Sequence, residues 1–377
     1  MAVTSSLTGF ASRLRGLIKA SADWEGLATD PLFNSLALEL FQLQTELSPV
    51  YRHFVQSRSL APVRHWSQIP AAPSSGFKEF EFSCLFPEER TRVFQSSGTT
   101  LQRPSCHYHS EESLGLYEAS AWAWFESSFL GGSRSGTFGS IIVLTPPPRQ
   151  APHSSLAHMF EVVRQRMPDA ASTYTATVTE EGAWELDLTA TREALQSAAS
   201  ALLPALVLGT AFSFVHLLDQ MSAHGIRFKL PAGSLAMETG GYKGRSRVIA
   251  KAELHKLIIR KLGIGPECLI SEYGMSELSS QAYEVHCPHH VAPPGLPGAP
   301  GLFRFPPWAR VQIISPETGE EVAVGETGLI RVFDLANAFS VMAIQTEDLG
   351  IRHEGGFQLI GRAALAESRG CSLMPAT

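Results

Sequence analysis

The sequence predicts an α/β protein with a mixed sheet system, and three observations carry that prediction. Short β-rich runs alternate with helix-patterned segments through the middle of the chain, as in strand–helix–strand units on a parallel sheet. After Glu284 the pattern changes to strands joined by tight turns, which close as antiparallel hairpins. The 377 residues are 44% hydrophobic and 18% charged. At about 150 residues per domain that is material for one large or two ordinary domains, and the low net charge argues against disorder.

The elements follow in order. Residues up to about Ser59 read as mainly helical: the opening segment is amphipathic, and Leu36, Leu38, Leu40, Phe41 and Leu43 keep an apolar spacing. Arg13, Arg15 and Lys19 divide the opening apolar run, so it is not a signal-peptide core. Ser140 to Thr145 (SIIVLT) is a strand that runs into a turn at Pro146–Pro148, with a helix over His153 to Met167. In Trp184 to Leu188, Trp184, Leu186 and Leu188 point one way and Glu185 and Asp187 the other, a half-buried strand. Ser197 to Leu218 carries no charge and must be tested as a membrane span. Pro204 and Gly209 interrupt it, so it reads as a buried strand at Ala205–Leu208, a glycine turn and an amphipathic helix.

Ile226 to Leu230 reads as a strand, and Ala250 to Leu262 as a helix with Leu254, Leu257, Ile258 and Leu262 on one face. Cys287 to Pro307 is dense in Pro and Gly and reads as loop. Val311–Ile314, Leu329–Phe333 and Phe357–Ile360 are strands, with turns at Pro316–Gly319 and Glu354–Gly356.

Lys and Arg number 30 against 36 Asp and Glu, a net charge of −6, and no dense basic stripe appears. Nucleic acid is therefore excluded as an expected partner, and no membrane association is expected. The five cysteines (Cys84, Cys106, Cys268, Cys287, Cys371) are odd in number and scattered. A chain of this size needs no disulfide staples, so reduced thiols in a cytoplasm are expected.

Four segments carry chemistry. Phe94-Gln-Ser-Ser-Gly-Thr-Thr100 offers backbone N–H groups and hydroxyls to an oxyanion, without the Lys-Ser/Thr ending of a Walker loop. Glu238-Thr-Gly-Gly-Tyr-Lys-Gly244 sets paired glycines after an apolar run, letting a flat ligand or phosphate approach the backbone. Ile270-Ser-Glu-Tyr-Gly-Met-Ser-Glu277 brings an aromatic, a glycine, a hydroxyl and a carboxylate together, enough to stack a base and hold Mg²⁺ through oxygen. Gln345-Thr-Glu-Asp-Leu-Gly350, followed by Gly361-Arg362, places an aspartate at a strand end as a ribose acceptor. Alone, the first, second and fourth are more often ordinary turns or loops and the third is as often a polar loop; together and in this order they are specific.

In that order they resemble the adenylate-forming (ANL) superfamily of acyl-CoA ligases and peptide-synthetase adenylation domains. SSGTT is similar to its phosphate loop, TGGYK to its adenine-side glycines, YGMSE to YGxTE and TEDLG to TGD. Within the superfamily the GGYK, EYGMSELSSQAYE and GR…RGCSL segments most resemble the LuxE acyl-protein synthetases, from about residue 35 to the end. The resemblance implies the superfamily's large N-terminal domain over residues 1–360, mixed sheets sandwiched by helices. It also implies a truncated C-terminal domain, reduced to an arm, 361–377, bearing Cys371.

By the same resemblance the cofactors are ATP and Mg²⁺, and the reaction activates a fatty carboxylic acid as acyl-AMP. Ser96, Ser97, Gly98, Thr99 and Thr100 would cradle the phosphates; Gly240 and Gly241 would flank the adenine, with Tyr273 and Gly274 stacked against it. Ser276 would lie near the α-phosphate, Glu277 would bind Mg²⁺ and Asp348 the ribose. Lys243 or Arg362 would supply the positive charge that the superfamily's C-terminal lysine brings. Cys371 would take the acyl group as a thioester and pass it to a partner reductase. A thiolate flanked by a cation suits that step, whereas an unadorned thiol near a chain end is the plainer reading of Cys371 by itself. Two other readings are a CoA or carrier-protein ligase lacking its C-terminal domain, and a non-catalytic adenylate-binding scaffold. A zinc site at Cys287 with His289 or His290 lacks a second Cys/His pair. His107 and His109 contact ligand or pack in the core, and Phe212 and Phe214 line an acyl channel or pack in the core.

Overall fold

The computed structural model describes residues 2–20, 24–58, 62–96, 103–130, 138–240, 249–285 and 301–362. Four helices lead: α1 (Ala2–Lys19), α2 (Trp24–Ala28), α3 (Asp30–Leu47) and α4 (Pro49–Gln56). Next come β1 (Ala72–Pro73), β2 (Arg92–Gln95), β3 (Cys106–His109), α5 (Glu111–Leu130), β4 (Ser140–Val143), α6 (Ser155–Arg166) and β5 (Ala171–Tyr174). The middle holds β6 (Ala176–Val178), β7 (Trp184–Leu186), α7 (Leu188–Ala199), β8 (Ala205–Thr210), α8 (Ala211–Ala223), β9 (Leu235–Thr239), α9 (Lys251–Leu262) and β10 (Leu269–Tyr273). The rest is strand: β11 (Ala282–Glu284), β12 (Leu302–Arg304), β13 (Ala309–Ile314), β14 (Thr327–Asp334), β15 (Ala343–His353) and β16 (Gly356–Arg362).

One sheet runs through the molecule in the order β13-β14-β15-β16-β12-β11-β10-β9-β8-β4-β5, with β1 added parallel to β15. From β5 to β10 every pairing is parallel; from β10 to β13 every one is antiparallel. The fold class is therefore the α/β mixed sheet flanked by helices that the sequence predicts.

The parallel half is apolar on both faces, as βαβ crossovers require. Ile141, Val143, Leu206, Leu208, Met237 and Ile270 face the side of α1, α3, α5 and α6. Their alternates Ile142, Leu144, Val207, Ala236 and Leu269 face α7, α8 and α9. Local chemistry sets the helix starts and stops: Ser154 and Asp187 accept from Ala157 N (3.1 Å) and Ala190 N (2.9 Å), and Thr210 and Ser213 form a capping box for α8. Gly263, at φ +68°, ends α9 in the left-handed conformation.

Three expectations change. Ile226–Leu230 joins no sheet; Phe228 N and Leu230 N donate to Lys261 O (2.8 Å) and Leu262 O (3.0 Å), so the segment satisfies the last carbonyls of α9. The strand expected over Trp184–Leu188 stops at Leu186, because Asp187 caps α7. Within the expected loop Cys287–Pro307, Leu302–Arg304 forms β12 between β11 and β16. Ser197–Leu218 resolves into β8 and α8, and no helix among the described residues is long and apolar enough to cross a membrane.

Candidate active site

The carboxyl ends of β8, β9 and β10 open on one edge of the parallel half, where α/β sheets bind ligands. The four chemistry-bearing segments meet at this edge. β2 and β3 form a hairpin whose base is closed by Ser96, which donates N–H to Ser105 O (3.2 Å) and accepts from Ser105 N on its hydroxyl (3.0 Å). Ser97, Gly98, Thr99 and Thr100 lie outside the described residues. His107 on β3 then reaches across: its Nδ1–H donates to the carbonyl of Ser276 at 2.9 Å. Burial drives the His107 pKa down to about 4, so the ring is neutral and the carbonyl fixes its tautomer.

β9 ends in Glu238 and Thr239, and Gly240 follows at φ +75°, a conformation that suits glycine. The Thr239 hydroxyl donates to the Glu272 carboxyl on β10, which ties the glycine segment to the Tyr273 segment. Gly241 and Lys243 lie outside the described residues. Glu272 is pushed up to about 7, mainly by burial, against the Thr239 bond and with help from the Glu238 charge.

Tyr273, the last residue of β10, donates its hydroxyl to Asp348 Oδ2 at 2.9 Å. Its ring packs edge-on against Phe303, Phe305 and Phe357, at 5.5 Å from the last. Asp348 is raised by burial, opposed by the Tyr273 bond and by Arg362, whose Nε lies 3.8 Å from Oδ1. Asp348 stands within β15, beside the irregularity at Leu349/Gly350, and not at a strand end as expected. Arg362 is 80% exposed at its side chain, and its charge also favours the ionised form of Glu277.

Glu277 is 5% exposed and raised by burial; the Ser276 hydroxyl donates to its carboxylate at 3.1 Å. The loop that carries it is held by residues the sequence reading did not single out. Asn337 Nδ2 donates to Glu277 O (2.9 Å) and Val341 O (2.8 Å), and its Oδ1 accepts from Ser279 Oγ (2.8 Å). Asp334 accepts from Ser279 N (2.9 Å), Ser280 Oγ (2.7 Å) and Ala336 N (3.0 Å), and burial raises it to about 6. Gln44 of α3 donates to Asn337 O at 3.0 Å and accepts from Met342 N at 3.0 Å. Asp-Leu-Ala-Asn after an apolar strand was the available signal: two acceptors placed where a strand should leave the core.

No group of three His, Cys, Asp or Glu that could hold a metal occurs among the described residues. One buried carboxylate at Glu277 still fits Mg²⁺, which takes few protein ligands and completes its octahedron with water and phosphate oxygens. The zinc candidates Cys287, His289 and His290 lie outside the described residues, as does Cys371. Cys84 and Cys106 are free thiols, and burial pushes Cys84 up to about 12, leaving it inert. His109 packs in the core beside His107 and is held below its ordinary value by burial. Phe212 and Phe214 part ways. Phe212 lines a cavity of about 190 Å³ with Leu144, Trp184, Leu186 and His216, whereas Phe214 is core.

The fold is shared with solved adenylate-forming ligases. A 2-hydroxyisobutyryl-CoA ligase with 2-HIB-AMP and CoA in the thioesterification state matches 88% of this chain and 68% of its own, with a TM-score of 0.61 and 13% identity. The open conformation of that ligase matches 86% and 74%, with a TM-score of 0.57 and 13% identity. ATP-bound MatB from Rhodopseudomonas palustris aligns over 74% of this chain and 49% of its own, with a TM-score of 0.47 and 16% identity. No curated protein sequence matches the chain. The class that this likeness defines is one of fold, the fold of the 2-hydroxyisobutyryl-CoA ligase. More narrowly, residues 20–376 match the family model "Acyl-protein synthetase, LuxE", and the chain belongs to that family.

Proposed function

We propose that this protein uses ATP to activate a carboxylic acid, a fatty acid by the family resemblance, as acyl-AMP, then transfers the acyl group to Cys371 for delivery to a partner reductase. The observation that carries the reading is the joining of four separate segments by three side-chain bonds: His107 to Ser276, Thr239 to Glu272, and Tyr273 to Asp348. Residues 33 to 169 positions apart in sequence are thereby joined at the carboxyl end of β10.

In this reading Gly240 leaves space for the adenine, and Asp348, oriented by Tyr273, accepts from the ribose hydroxyls. The β2–β3 hairpin and Ser276 hold the α-phosphate for in-line attack by the carboxylate oxygen, with pyrophosphate leaving. Bound at Glu277, Mg²⁺ would neutralise charge on the phosphate oxygens. Arg362, already felt by both Asp348 and Glu277, and Lys243 would add positive charge near the leaving group. The sulfur of Cys371 then attacks the acyl carbonyl and AMP departs with its pair of electrons.

The test is incubation with ATP, Mg²⁺ and labelled fatty acid, read by intact mass and pyrophosphate exchange. Label on the protein that vanishes in Cys371→Ser supports the full reading. Acyl-AMP without protein label would leave a CoA or carrier-protein ligase. Absence of exchange with any acid would leave a non-catalytic scaffold. Normal exchange in Lys243→Met would remove Lys243 from the mechanism.

A further inference from the structure

β12 runs parallel to β10, because each is antiparallel to the β11 between them. Arg304 therefore ends β12 on the same edge of the sheet as Tyr273 ends β10. In register, Thr239 pairs with Glu272, Glu272 with Tyr283, and Tyr283 with Arg304. Side chains directly opposite one another share a face, so these four form a row about 14 Å long across the carboxyl ends. The face is the one covered by α5. Phe125 and Phe129 meet the Tyr283 ring at 6.4 and 5.2 Å, and Trp124 donates to Arg304 O at 3.4 Å. Tyr273, Phe303 and Phe357, the alternates of this row, pack with Ile330 and Ile344 on the opposite face, where Asp348 takes the Tyr273 hydroxyl.

Arg304 is 7% exposed, and none of Nε, Nη1 and Nη2 has a hydrogen-bond partner among the described residues. The Tyr283 hydroxyl, next to it in the row, is buried and unpartnered as well. Across from Arg304, Gly356 has no side chain, and a Cβ there would press on the arginine stem at 3.2 Å. A buried guanidinium without acceptors is among the costlier things a core can hold. Such groups call for an explanation, and a missing anion is the one that matches their donors. The planar fork suits a carboxylate, bound through two parallel N–H···O bonds.

We propose that Arg304, with Tyr283, is a specificity site for the acid: it takes a second carboxylate at the far end of the substrate, so the preferred acids are aliphatic dicarboxylic acids. The proposal rests on the adenylation reading for the fate of the first carboxylate. The nucleoside pair Tyr273–Asp348 and the arginine lie on opposite faces of the sheet. An acid held at Arg304 would therefore lie on the α5 side of the sheet, away from the nucleoside.

The experiment uses the full-length protein and matched pairs of acids: hexanoate with adipate, octanoate with suberate, decanoate with sebacate. Equilibrium binding by calorimetry and ATP–pyrophosphate exchange are measured for wild type, Arg304→Met and Arg304→Lys. Expected is a preference of roughly tenfold or more for the dicarboxylate of the best pair, lost in Arg304→Met and partly kept in Arg304→Lys. Arg304→Met should also melt at a higher temperature than wild type without ligand, because it removes an unsatisfied buried charge. That shift separates a ligand-seeking arginine from a structural one, whose loss would lower the melting temperature. Equal binding of both acids in each pair, or a dicarboxylate preference that survives Arg304→Met, overturns the proposal. Arginine-dependent dicarboxylate binding without any exchange would uphold the site and overturn the adenylation reading instead.

Discussion

The two halves of the sheet are stabilised by different chemistry. The parallel half, β5 to β10, is an apolar sandwich in which β8 (Ala205–Thr210) is buried along nearly its whole length between two helical layers. The antiparallel half buries polar groups: Asp334 and Asn337 at 0% and 1% exposure, with Ser279, Ser280 and Gln44 around them. Apolar packing is tolerant of which neighbour fills the space, whereas a buried polar network works only when every member is satisfied. The candidate site lies on the seam, at the end of β10. The parallel half supplies open strand ends, and the antiparallel half supplies the directional bonds that fix side chains at them.

That contrast makes its largest prediction in the parallel half. Leu208 is fully buried in β8, and Leu208→Ala should cost about 3 kcal/mol through lost burial and a residual cavity. Urea titration should show a lower midpoint with an unchanged slope. A changed slope would mean that the apolar half no longer unfolds with the rest.

Glu272 tests the seam through pH. Its pKa is raised to about 7 from an ordinary 4.5 by burial. A raised carboxyl stabilises the fold below its unfolded pKa, and that contribution is lost as pH rises through the folded value. Glu272→Gln keeps an acceptor for Thr239 and removes the charge, so the variant should match wild type near pH 4. It should gain on the order of 3 kcal/mol relative to wild type above pH 8. His107, held near 4 by burial, works in the opposite sense, since its contribution is present above 6.5 and lost as pH falls. Comparing variant with wild type at each pH cancels it. A constant gap across pH 4 to 8 would mean that Glu272 is not desolvated.

In the polar half, Asn337→Ala leaves the Glu277 and Val341 carbonyls and the Ser279 hydroxyl without their partner. The expected loss is about 2 kcal/mol, together with slower pyrophosphate exchange because the Glu277 loop is released. Full exchange at the same stability cost would confine Asn337 to a structural role.

The same division explains what could be read from the sequence. The parallel half was legible, because period-two apolar runs such as SIIVLT and Ala205–Leu208, with Ser, Thr and Asp at helix starts, state their structure locally. The four site segments were legible as motifs for the same reason. Asn337, Asp334 and Gln44 were read less easily: Asp-Leu-Ala-Asn marks the strand's exit, but the partners across the fold lie 54 to 298 residues away and no local pattern names them. β12 was hidden because three residues beside a proline-rich run carry too little periodicity to register. Ile226–Leu230 misled because alternation specifies an extended chain and not its partner, here the end of α9.

The smallest expected effect tests the seam most directly. Tyr273 belongs to the last parallel strand and Asp348 to the antiparallel half, and one hydrogen bond of 2.9 Å joins them. Tyr273→Phe keeps the ring among Phe303, Phe305 and Phe357 and removes only the donor. Stability should fall by about 1 kcal/mol. The Asp348 carboxyl, already raised by burial, should rise further once the bond that lowers it is gone, so the loss should shrink as pH falls and the aspartate takes up its proton in both proteins. If Asp348 receives the ribose hydroxyls, its misorientation should raise the KM for ATP several-fold with little change in kcat, because the bond acts on nucleotide placement and not on the reacting carbonyl. A stability loss of this size with an unchanged KM would show that the bond ties the two halves together without orienting the nucleotide, and the seam would then be architecture alone.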